Sequence, residues 1–103
     1  MILDVHVRAG VGPAEVARVV GAALQRPVGV DDRGNPQVAA VDGLIRVARL
    51  GYDRTVVYAE VRSDTAALAE RVYEELEART DWPIALVDST DDHPEDVILS
   101  ERL

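Results

Sequence analysis

Twice along this chain a stretch that alternates apolar and polar residues runs directly into a stretch with helical periodicity, and this double switch restricts the folds open to it. In the first, Leu3, Val5 and Val7 point one way and Asp4, His6 and Arg8 the other, the pattern of a half-buried strand. Gly10 and Gly12 break the alternation, and Pro13 suits the first position of a helix, where its missing N–H has no intrahelical partner. Val16, Val19, Val20, Ala23 and Leu24 then share one face, which predicts a helix over 13–25 that Pro27 stops. Val11 and Val16 are placed to form a hydrophobic staple, and Glu15 favours the positive end of the helix dipole. In the second switch, residues 55–62 set Val57, Ala59 and Val61 against Val56, Tyr58, Glu60 and Arg62. Ser63 or Asp64 caps a helix carrying Leu68, Ala69, Val72, Tyr73 and Leu76 on its inner face and reaching about residue 79. Arg71 with Glu75, and Glu75 with Arg79, stand at helical i, i+4 spacing.

The segments between and after these units complete the pattern. Residues 28–43 hold a short strand at 28–30, a turn-rich run at 31–36, and a run at 38–41 that pairs onward through Asp42-Gly43, a favoured type I′ dipeptide. Residues 44–50 and 84–87 read as strands. At the end, residues 94–103 are open to a short helix or a strand; Asp92 as cap, Glu95 and Asp96 in a first turn and Arg102 in a last turn lean toward the helix. The expected architecture is α+β: a single domain over 1–103 with a ferredoxin-like split β-α-β sandwich, an antiparallel sheet with two helices on one face, and an inserted hairpin or loop at 28–43. The first strand is expected centrally, beside residues 54–62. That fold hosts many unrelated activities, so function has to come from the residues.

Composition narrows the classes. Hydrophobic residues make up 48% of the 103, yet there is no Phe, so the expected core is aliphatic with Trp82 as its one large ring. All eleven basic residues are Arg, which fits a bias toward GC-rich codons. The absence of Cys excludes a disulfide scaffold, a zinc knuckle and a thiol nucleophile. No apolar run approaches the ~20 residues of a membrane helix and no signal-peptide pattern opens the chain, so a cytoplasmic protein is expected.

Candidate chemistry is sparse. Gly10-Val11-Gly12 between strand and helix suggests a phosphate loop, but Glu15 stands where a dinucleotide fingerprint has its third Gly, and no Lys-Ser/Thr follows. His6 beside Glu60 across the sheet would make a general base oriented by a carboxylate, yet no serine sits in a nucleophile-elbow setting. A histidine in such a strand otherwise reads as a polar residue on a solvated sheet face. The acidic run 88–96 lacks the Gly and terminal Glu of a calcium loop and reads as a solvated turn with a helix cap. No catalytic residue, metal site or cofactor is expected.

Charge distribution carries more. Residues 1–62 hold eight Arg against seven acids, and residues 63–103 hold three Arg against twelve, so the net charge of −8 belongs to the second part. Such a surface repels nucleic-acid phosphate and anionic lipid and attracts basic proteins. The expected function is therefore a small acidic, non-enzymatic protein-binding module, in its concrete form an immunity or inhibitor protein that neutralises a basic bacterial toxin. Its expected partner-binding residues are Glu70, Glu74, Glu77, Asp88, Asp91, Asp92, Glu95 and Asp96, with Tyr73 or Trp82 as aromatic anchors. The plainer reading of the same acidity is solubility. The opening Arg8-Ala9-Gly10-Val11-Gly12-Pro13-Ala14-Glu15-Val16 also resembles small ligand-binding regulatory domains of the ACT type. That resemblance rests on element order and a few small residues, and implies an alternative: a small-molecule sensor dimerising through its sheet, with a ligand near residues 10–13.

Overall fold

The computed structural model describes residues 2–8, 10–51, 54–89 and 97–102. Nine elements follow one another: β1 (Leu3–Val7), α1 (Pro13–Leu24), β2 (Val28–Val30), β3 (Pro36–Ala40), β4 (Gly43–Leu50), β5 (Arg54–Val61), α2 (Thr65–Arg79), β6 (Ile84–Asp88) and β7 (Val97–Arg102). The strands form one sheet in the order β2-β3-β4-β5-β1-β6-β7, and every neighbouring pair is antiparallel. The α+β class expected from the sequence is what the chain adopts. β1 lies between β5 and β6, with Val5 opposite Val57 on one side and Leu86 on the other.

The period-two pattern of β1 explains its position. Leu3, Val5 and Val7 are all but fully buried, and they share a cluster with Val57, Ile84 and Leu86 of the adjoining strands and with Val16, Val20, Val72 and Leu76 of the helices. Each buried Val or Leu contributes roughly 1.5–3 kcal/mol relative to exposure. The ring inside this core is Tyr73, 7% exposed; Trp82, expected there, is only partly buried and packs at the margin. Tyr73 lies on the inner face of α2, whereas Trp82 lies in the connection after it.

The local signals act as their chemistry requires. Asp64 caps α2 by accepting from the Ala67 N–H at 3.0 Å. Val11 packs against the core near Val16, and the buried Thr55 hydroxyl donates to the Val11 carbonyl at 2.7 Å, tying the loop before α1 to β5. α1 ends on Gln25 in the left-handed region (φ 55), with the Arg26 N–H reaching the Gly21 carbonyl and the Gln25 N–H reaching Ala22. These are the two bonds of a Schellman motif, a position that glycine usually holds.

Two expectations fail for physical reasons. The β3–β4 hairpin turns on Val41-Asp42, because Ala40 pairs with Gly43, so Asp42-Gly43 is not a type I′ turn. Gly43 has no positive φ; a Cβ there would run into the Glu60 carbonyl oxygen, so its role is to let β4 approach the β5 backbone. Asp42 instead accepts from the Ser63 N–H at 2.7 Å, linking the hairpin to the entry of α2. The second failure is the chain end. The described residues of 94–103 form strand β7, not a helix: Val97, Ile98 and Leu99 suit an extended backbone, and β6 offers an open edge for them. The pairing includes a register shift beside Leu86 and Val87.

Two substitutions test this account by chemical denaturation. Gln25→Gly relieves the left-handed strain and should stabilise the protein by about 1 kcal/mol. Gly43→Ala should destabilise it by about 1–3 kcal/mol, because the new methyl meets backbone that cannot rotate away.

Candidate functional site

The outer face of α2 and the end of the chain meet along a groove of about 610 Å³. Glu70, Tyr73, Glu74 and Glu77 line it from α2, Leu99, Ser100 and Glu101 from β7, and Leu86 from β6. Helical spacing explains the α2 wall: positions 70, 74 and 77 are three and four residues apart and therefore stack on one side. All three glutamates are exposed, while Tyr73 between them turns inward. Among the described residues, no cation lies within ion-pair distance of the Glu70, Glu74 or Glu77 carboxylate. Glu75 is held by Arg79 at 2.9 Å and Glu101 lies 3.8 Å from Arg8. Burial raises the Tyr73 phenol above its ordinary pKa, with the charge of nearby Glu77 adding to it and that of Arg102 opposing it.

One side chain joins the two walls. The Arg102 guanidinium donates to the Glu77 carbonyl at 2.7 Å, to the Thr80 carbonyl at 2.7 Å and to the Trp82 carbonyl at 3.0 Å. These carbonyls lie at and just beyond the end of α2, where oxygens have no helical donor and the dipole favours a cation. A planar five-donor fork fits them as an ammonium cannot. β7 is thereby fastened beside α2.

The expected partner-binding residues separate into three groups. Glu70, Glu74 and Glu77 come together in the groove. Asp88 does not join them: it ends β6 and is 8% exposed. Asp91, Asp92, Glu95 and Asp96 lie outside the described residues. Of the two aromatic anchors, Tyr73 lines the groove and Trp82 does not. Leu99, Ser100 and Glu101 were not expected there, because a helical reading of the chain end gave them no place beside α2. The continuous apolar run Val97-Ile98-Leu99, with two β-branched residues, was the signal for a strand.

His6 differs from both of its sequence readings. It is 4% exposed, so it is not a solvated face residue. It pairs in register with Val56 and Ala85, and Glu60 lies four residues further along β5, about 13 Å away at strand spacing. Glu60 instead holds Arg46 at 2.9 Å. Arg54 lies 3.4 Å from His6 Nδ1, and Ser89 donates its hydroxyl to Asp4 at 2.7 Å. Among the described residues, no group of three or more His, Cys, Asp or Glu side chains is arranged to hold a metal. No described helix is long and apolar enough to cross a membrane.

A second concavity, of about 550 Å³, lies where the β2–β3 turn meets β4 and β5. Arg46 stands in it between Glu60 and Asp31, the latter at 3.5 Å, with Tyr58 and Gln37 nearby. The Asp31 carboxyl is held below its ordinary value, first by the Asn35 N–H and also by the Arg33 N–H and the Arg46 charge. Glu60 in turn raises the Arg46 pKa. These charges neutralise one another within the cleft, whereas among the described residues Glu70, Glu74 and Glu77 of the groove have no ion-pair partner.

No protein-family model matches the chain, and no curated protein or solved structure is significantly similar to it.

The clasp predicts its own test. Arg102→Ala should lower the unfolding free energy by about 2 kcal/mol, through the loss of charged hydrogen bonds to carbonyls that then lack a donor. Arg102→Lys should restore only part of it; urea unfolding of the three proteins measures the order.

Proposed function

We propose that this protein is a small acidic binding module without enzymatic activity, whose groove between α2 and β7 receives a basic protein. The observation that carries the reading is the set of three exposed glutamates, Glu70, Glu74 and Glu77, gathered in one concavity with no neutralising cation among the described residues. In its concrete form the partner is a cationic bacterial toxin, a nuclease for example, and the module is its cytoplasmic immunity protein. An acidic inhibitor suits such a target because its carboxylates can occupy ground that phosphates would otherwise hold. We read the kernel β4-β5-β1-β6, with α1 after β1 and α2 after β5, as a ferredoxin-like split β-α-β sandwich, to which the β2–β3 hairpin adds at one edge and β7 at the other.

An alternative reading, an ACT-like small-molecule sensor, draws support from the polar cleft around Arg46. Each of its Arg46 contacts is already made within the protein, which leaves a ligand less to gain there.

The test is affinity capture from source cells at low and high salt, followed by reconstitution with the purified captured protein. The expected partner is basic and its association weakens steeply with salt. Glu74→Arg should lower the affinity at least about tenfold at low salt, the size of one lost charge-assisted contact. Glu15→Arg, on the exposed face of α1, should change it little. A neutral or acidic partner, or equal effects of the two reversals, would overturn the reading.

A further inference from the structure

β7 closes one end of the sheet, and among the described residues no strand pairs with its outer edge. An edge of this kind presents unpaired N–H and C=O groups, and proteins usually blunt it with Pro, inward charges or a short length. β7 has neither Pro nor a short length, although its pairing with β6 is irregular, with Leu99 as the extra residue opposite Leu86 and Val87. It is six residues long, has no Pro, and exposes Val97, Ile98 and Leu99 at 41–48% each. The opposite edge, β2, is three residues long and closely follows Pro27. The two edges therefore differ in what they can accept, and β7 is the one with room for another strand.

We infer that the partner enters as an extended segment that adds to the free edge of β7 as an eighth strand, with basic side chains at alternate positions turned into the groove. This rests on the reading of the groove as a site for a basic protein and specifies how that protein is held. The argument is geometric and electrostatic. Alternate residues of a strand lie about 6.8 Å apart on one face. Glu70, Glu74 and Glu77 rise along α2 by about 6 Å and 4.5 Å. Two or three alternate Arg or Lys side chains thus cover the same length as the three carboxylates, while the residues between them lie beside Ile98. Main-chain pairing supplies affinity and the acidic wall supplies selectivity, the usual division of labour in strand addition.

A second copy of this chain is the competing occupant, and charge argues against it. Two-fold pairing of β7 with β7 would place α2 of both copies on the same face of a continuous sheet and turn the two acidic walls toward one another across the seam. Like charges so placed disfavour association.

The experiment uses the full chain and synthetic nine-residue peptides, read by fluorescence polarisation. One peptide alternates Arg with Val; a second has the same composition with the Arg residues in one block. The alternating peptide should bind at least about tenfold more tightly at low salt. Two further peptides carry N-methyl groups on the Arg residues or on the Val residues. A strand pairs with its neighbour through alternate residues, so one of these methylations should abolish the tenfold advantage and the other should leave it. Equal affinity of the alternating and block peptides, or indifference to both methylations, would overturn strand addition. The reading of the groove would survive that result if Glu74→Arg still weakened both peptides, and would fail with it if the reversal had no effect. A concentration-dependent dimer in sedimentation, blocked by the alternating peptide, would overturn the choice of a basic segment as occupant in favour of a second copy.

Discussion

The position of β7 depends on a guanidinium. Arg102 reaches the main-chain oxygens of Glu77, Thr80 and Trp82, and through them fastens the last strand to the end of the second helix. The groove has no existence apart from this arrangement, since one wall is α2 and the other is β7. The same contact serves two needs at once. The end of α2 has carbonyl oxygens without donors, and β7 lies at the sheet margin with a partner strand on one side. Meeting the first need with a residue of the second element couples them, so a loss at Arg102 is felt in helix end, strand and groove together.

Beyond that fastening, the groove carries a tension that its own residues do not relieve. Glu70 with Glu74, and Glu74 with Glu77, are like-charged neighbours at helical spacing. Each such pair costs a few tenths of a kcal/mol, on the order of 0.2–0.5. Glu75 shows the alternative available on the same helix, for Arg79 neutralises it one turn away. The polar cleft around Arg46 likewise settles its charges internally, with Glu60 and Asp31 on either side of the guanidinium. Solubility is served by any exposed acid, wherever it stands. The groove is distinguished by Glu70, Glu74 and Glu77, which among the described residues lack an ion-pair partner, within a concavity that is part apolar through Leu86, Leu99 and Tyr73.

What could be read from the sequence followed the range of the interaction concerned. The alternation of Leu3, Val5 and Val7, the helical faces of both helices and the Asp64 cap are set within a few residues, and the structure keeps them. The failures are long-range. Gly43 beside Asp42 carried the mark of a tight turn, but the β5 backbone across the sheet is what requires a missing side chain there. Residues 94–103 carried helix-capping signals, yet pairing with β6 and the reach of Arg102 to α2 make the described part a strand. His6 carried the pattern of a solvated face, and lies buried between β5 and β6. Half of the candidate site was legible for the same reason: the glutamates of α2 follow from helical spacing, whereas Leu99, Ser100 and Glu101 join them through a pairing that no local pattern announces.

The acidic wall and the open strand edge are best understood together. An exposed apolar edge without Pro or inward charge invites copies of the same chain, and association of that kind is a hazard in any crowded solution. Here the edge borders carboxylates that every copy also carries. Two acidic walls turned toward one another across a seam disfavour that pairing. A segment of opposite charge meets the reverse sign at each of these positions. The same glutamates that discourage self-pairing therefore favour a cationic strand, and the edge can stay open without a Pro to close it.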